Sequence, residues 1–156
     1  MVASPEGDIV RVTEVERGKV ERRQRAAAEI RDLISELYRG FVAWASLYAD
    51  ADGRYEQDQR EQVTELIDRL SNGYLARSMW LEPGVRKRVE GFIERSEELY
   101  SRFCAEIEVR GYARARKSMA KRVSRHLGSL RKSVSSELMQ DPSESRPRWR
   151  MRLNRT

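Results

Sequence analysis

An all-α bundle is the fold this sequence predicts, and three observations predict it. Apolar residues recur at helical spacing in four successive runs. The runs are matched, each about 25–28 residues or roughly 40 Å long at 1.5 Å per residue. Only 9 Gly and 4 Pro punctuate 156 residues, which favours few long elements over many short strands. Short links make consecutive helices antiparallel neighbours, so the expected arrangement is an up-down-up-down antiparallel four-helix bundle. Irregular or short β segments stay open at both termini. The expected organisation is an N-terminal arm over 1–25, the bundle over 26–140 and a basic Arg/Trp tail over 141–156.

The arm contains IVRVTEVERGKV, Ile9 to Val20, which mixes β-branched residues with a poor helical stripe. Three readings stand: a strand or hairpin, an extension of the first helix, or a separate arm. The first run, within 26–50, carries Ile30, Leu33, Ile34, Leu37, Phe41, Trp44, Ala45 and Tyr48 on one face and stops at ADADG, where Gly53 is a natural break. The second carries Val63, Leu66, Ile67, Leu70, Tyr74 and Trp80. Gly73 inside it costs ~1 kcal/mol relative to Ala and marks a kink or a close contact. LEPG then places Pro83 where a first-turn proline belongs, with Glu82 near the positive helix end. The third run is Val85, Val89, Phe92, Ile93, Leu99, Tyr100, Phe103 and Ile107, closing near Gly111. The fourth is Tyr112, Met119, Val123, Leu127, Leu130, Val134 and Leu138, closing before Asp141-Pro142.

In the tail, RPRWRMRL alternates Arg146, Arg148, Arg150 and Arg152 with Pro147, Trp149, Met151 and Leu153. Period two is strand spacing, with one apolar and one cationic face. The tail is either a flexible basic end or a docking strand for a sheet edge, such as the N-terminal segment with Glu14 and Glu16.

Composition narrows the function classes. The chain is 39% hydrophobic and 36% charged, too apolar for a disordered segment. No apolar run approaches the ~18 residues that a membrane span needs. MVASPEGDIV lacks the basic-then-apolar pattern of a signal peptide, so a cytoplasmic location is expected. Cys104 is the only cysteine, which excludes an internal disulfide and a thiolate cage.

Several fragments resemble reactive motifs and fail on their surroundings. If Gly53 were the turn glycine of a calcium loop, Tyr48 and Gln59 would occupy positions that need carboxylates. Glu90, Glu94, Glu97 and Glu98 suggest a di-iron bundle site, yet that site needs two histidines and the chain has only His126. Ser118 and Lys121 form S-x-x-K without the companion S-D-N and K-T-G motifs. No phosphate-cradling glycine loop is legible. On a wheel His126 points towards the core, as a boundary residue, and Cys104 reads as a small buried hydrophobe. No catalytic residue, metal site, cofactor or small-molecule ligand is predicted, and the chain is not expected to be an enzyme.

What remains is charge. Residues 1–78 carry 12 basic and 15 acidic side chains, net −3, whereas 79–156 carry 19 and 10, net +9. Nine cations and no acid fall between Arg110 and Lys132. Relative to Met119, the apolar residues of the fourth run fall within roughly 20–100° on a helical wheel. Arg114, Lys117, Lys121, Arg125 and Lys132 fall within roughly 160–240°, a ridge opposite the core.

Three readings of the ridge compete. It is a solvated face balanced by Asp50, Asp52, Glu56, Asp58, Glu61, Glu106 and Glu108. Or it receives an acidic protein partner, or the acidic half of a second copy, with Trp80 and Trp149 as anchors. Or it contacts the backbone of a nucleic acid with little sequence selectivity, helped by stacking on Trp149. The expected function is a non-enzymatic adaptor or regulatory bundle that presents the ridge, and the tail residues Arg146, Arg148, Trp149, Arg150 and Arg152, to an acidic protein or to itself. Nucleic-acid binding is the alternative.

Overall fold

The computed structural model describes residues 5–46 and 53–139, with side-chain surroundings from residue 13 onward. All of the secondary structure among these residues is helical. Helix α1 runs Pro5–Ser46, α2 Arg54–Arg77 and α3 Pro83–Arg110. The fourth run is carried by α4 (Tyr112–Arg122), a π-helical turn (Val123–Leu127) and α5 (Gly128–Leu138), which follow one another without a break.

The N-terminal segment Ile9 to Val20 belongs to α1, so among the three readings the helix extension is the one observed. Pro5 opens the helix, at the position where a missing N–H costs nothing. With no strand among the described residues, the N-terminal segment offers the tail no sheet edge to pair with. The expectations for Arg146, Arg148, Trp149, Arg150 and Arg152 lie outside the described residues.

The four apolar runs supply one core. Ile30, Ile34, Leu37, Phe41 and Trp44 of α1 meet Val63, Leu70 and Tyr74 of α2, Val89, Phe92, Leu99 and Phe103 of α3, and Met119 of α4, Leu127 of the π turn and Val134 of α5, all buried. Contacts between α1 and α2 pair Glu29 with Arg77, Glu36 with Arg69 at 3.3 Å, and Trp44 with Glu56 at 3.1 Å. Residue numbers thus rise on one helix as they fall on the other. Gly40 permits this approach, because a Cβ there would lie 2.8 Å from Leu66 Cδ1.

The links are short. Between α2 and α3, a single 3₁₀ turn over Ser78–Trp80 closes on a Leu81 N–H to Ser78 carbonyl bond of 3.1 Å, and Leu81 tucks into the core. Pro83 opens α3 as its position in LEPG predicts. Between α3 and α4 stands one residue, Gly111, at φ 81°. That left-handed backbone is cheap only for glycine. Its N–H donates to Ile107 at 2.9 Å and its carbonyl accepts from Ala115 at 3.1 Å, so one residue closes the last bond of α3 and the first of α4.

The π turn corrects one expectation. A constant 100° per residue turns His126 towards the core, yet His126 is exposed. Buried Ala115, Met119, Val123 and Leu127 stand four residues apart, and at that spacing the seam drifts about 40° per step on a regular helix. The wide turn, bonded five residues on, takes up one extra residue, about 100° of rotation, and returns Val134 and Leu138 to the same seam. Cys104 also departs from expectation. It is half-buried against the core instead of enclosed.

Candidate functional site

The ridge occupies the outward side of the α4–α5 rod because Ala115, Met119, Val123 and Leu127 commit the inward side to the core. Arg114, Lys117, Lys121, Arg125 and Lys132 are all exposed. Among the described residues none of the five makes an ion pair. Arg114, Lys117, Lys121 and Arg125, together with Ser118, Arg122 and His126, line an open concavity of about 500 Å³. Lys132 lies further along the rod and is not part of it.

The other cations of the segment are employed inside the fold. Arg122 Nη1 reaches Glu106 Oε1 on α3 at 3.0 Å, and Arg102 Nε approaches the same oxygen at 3.7 Å. The Arg131 guanidinium lies 4.4 Å from the centre of the Tyr38 ring on α1, a cation–π contact across the helix interface. Both side chains are half-buried. They stand on the flanks of the rod, where a long stem can cover apolar surface while its head finds an acid or a ring on the next helix.

The carboxylates proposed to balance the ridge are only partly employed there. Glu56 accepts from Arg60 Nε at 3.0 Å and Nη2 at 2.8 Å, and from the buried Trp44 indole. Glu106 serves Arg122, which is not a ridge residue. Asp58, Glu61 and Glu108 make no ion pair among the described residues, and Asp50 and Asp52 lie outside them. On α3, Glu94, Glu97 and Glu98 line a separate open concavity of about 680 Å³ with Ser101 and Arg102. Those glutamates are exposed, which places them on a solvated face.

Burial pushes the Cys104 thiol above its ordinary range, and the nearby acids Glu56 and Glu108 push the same way, against Arg60 and a hydrogen bond with Tyr100. A thiol held protonated is a poor nucleophile. Trp80 is half-buried, with the Arg22 guanidinium 5.5 Å from its ring, and it lines a small apolar pocket with Ala27, Leu81, Val85 and Leu138. It stands at the far end of the bundle from Arg114 and forms no part of the ridge.

Sequence reasoning missed Ser118 and His126 as concavity residues. Ser118 adjoins the ridge on the wheel, so its place was readable; His126 was not, because its position depends on the π turn. No family model, no curated protein and no solved structure matches this chain. No helix among the described residues is long and apolar enough to cross a membrane.

Proposed function

We propose that this chain is a non-catalytic binding protein whose cationic ridge receives an acidic segment of a partner protein. One observation carries the reading: five exposed cations share one face of the α4–α5 rod and none is neutralised within the described chain. Repeated like charge on one helix face is destabilising, so a solvated face alone gives it no purpose.

Spacing favours protein over nucleic acid. Arg114, Lys117, Lys121 and Arg125 follow one another at three, four and four residues, the interval at which a helix presents successive carboxylates, about 5–6 Å apart. The concavity they line holds no Trp, Tyr or Phe on which a base would stack. On its sequence alone, the Arg-rich tail is assigned to the same partner class.

The test is a titration of the full chain with a helical peptide bearing glutamates at three- and four-residue intervals, at about 50 and 200 mM salt, beside single- and double-stranded DNA and RNA. The peptide is expected to bind, to weaken with salt, and to be lost when Lys117→Glu, Lys121→Glu and Arg125→Glu are combined. Binding that survives the triple reversal, or its absence at the lower salt, overturns the proposal. Nucleic acid that binds tighter than the peptide, with a steep salt slope, transfers the ridge to that class instead.

A further inference from the structure

We infer that two copies of this chain associate through the N-terminal half of α1, arm against arm and antiparallel. Among the described residues the first buried one of α1 is Ala26, although Arg22, Arg23 and Gln24 already lie beside Trp80 of the bundle. Of residues 13–25, all are exposed except Gly18, which is half-buried. The stripe that α1 buries, Ala26, Ile30, Ile34, Leu37, Phe41 and Trp44, advances by three and four residues. Stepping back from Ala26 by the same intervals gives Arg23, Lys19 and Glu16. The core-facing side of α1 therefore continues past the bundle as a charged stripe. Val15 and Val20 on its flanks are 59% and 37% exposed.

Charge selects the occupant. In the sequence, residues 5–16 hold Glu6, Asp8, Glu14 and Glu16 against Arg11. Residues 17–25 hold Arg17, Lys19, Arg22, Arg23 and Arg25 against Glu21. Glu14, Glu16, Arg17, Lys19, Arg23 and Arg25 make no ion pair among the described residues. A second copy laid parallel sets like against like. Laid antiparallel, Glu14 and Glu16 of one copy meet Lys19 and Arg23 of the other, with Glu16 falling between those two cations. A two-fold axis repeats that contact, so one complementary patch closes the assembly and leaves no open end. The Arg22 guanidinium, 5.5 Å from the Trp80 ring, touches the bundle at the root of the arm.

Sedimentation of the full chain across a concentration series is expected to show a dimer that dissociates as salt rises. Glu16→Lys alone, and Lys19→Glu with Arg23→Glu, are each expected to be monomeric with unchanged helical content. Mixed together, the two variants should form a heterodimer, because one arm is then cationic and the other anionic. A full chain that stays monomeric overturns the inference, as does a dimer indifferent to Glu16→Lys. Removing residues 142–156 is expected to leave the dimer intact; a dimer lost with the tail assigns the contact to the tail and overturns the arm pairing.

Discussion

Tyr74 shows how far one side chain's surroundings reach. Its ring is buried in the core and its hydroxyl donates to Glu90 on α3. Burial first, then the hydrogen bond and the negative charge of Glu90, push its pKa up to about 12, with Arg86 pulling weakly the other way. An unfolded tyrosine titrates near about 10, so the native state holds this proton more tightly than the unfolded chain does. The contribution is complete below about pH 10 and is lost as pH climbs towards about 12. Denaturant unfolding at stepped pH is expected to show stability falling across that window, and Tyr74→Phe should make the fall shallower. Equal slopes for the two proteins contradict this. Glu56 is also engaged, accepting two bonds from Arg60 on its own helix and one from Trp44 on α1. Neither role was legible in the sequence. Helical spacing identified the faces of Tyr74 and Trp44, but a polar partner on the next helix depends on which turns come level, and one chain's periodicity carries no such register.

The elements were more legible than their ends. Apolar residues at three- and four-residue intervals identify the core face of every helix because a helix has no other way to gather them on one side. Gly111 and Pro83 mark boundaries through backbone chemistry, and both stand where that chemistry puts them. The α1 arm escaped because its β-branched residues and Gly18 weaken helical propensity, and a long helix continuing behind it outweighs that local preference. The π turn escaped because a wheel assumes constant rotation. The turn makes a prediction about chain length. Deleting Ser124, which is exposed within the turn, removes the surplus residue and leaves the buried seam straight on a regular helix. That variant is expected to keep its helical content and unfold cooperatively. Deleting exposed Glu97 from the regular helix α3 instead rotates the rest of that helix by about 100° without an excess to absorb the change, and should lower the melting temperature far more. Equal losses in the two variants sink the argument.

For the molecule as a whole, the net charge of +6 is unevenly borne, and the ridge is where it concentrates. Arg114–Lys117, Lys117–Lys121 and Lys121–Arg125 are like-charged neighbours one helical turn apart, each costing about 0.2–0.5 kcal/mol. Replacing Lys117, Lys121 and Arg125 by Gln is therefore expected to raise stability by about 0.5–1.5 kcal/mol at low salt. The gain should shrink towards zero at about 1 M salt, where the screening length is about 3 Å. A loss of stability on neutralisation indicates acids that balance the ridge, and returns it to the solvated reading. The candidate site was legible to the extent that charge periodicity is: the five ridge cations are exposed together. The sequence did not separate them from Arg122 and Arg131, because that division rests on Glu106 and Tyr38, on helices distant in the chain.

Trp44 joins these scales. Its indole meets Glu56 of α2 and the rings of Tyr100 and Phe103 of α3, and its carbonyl receives the hydroxyl of Tyr112 at the start of α4. No two helices complete that environment, nor do three. The residue acts as a keystone: each of α2, α3 and α4 supplies part of its seat, and losing any one leaves it incomplete. A seat shared among four helices couples them, so this end of the bundle is expected to unfold as one cooperative unit.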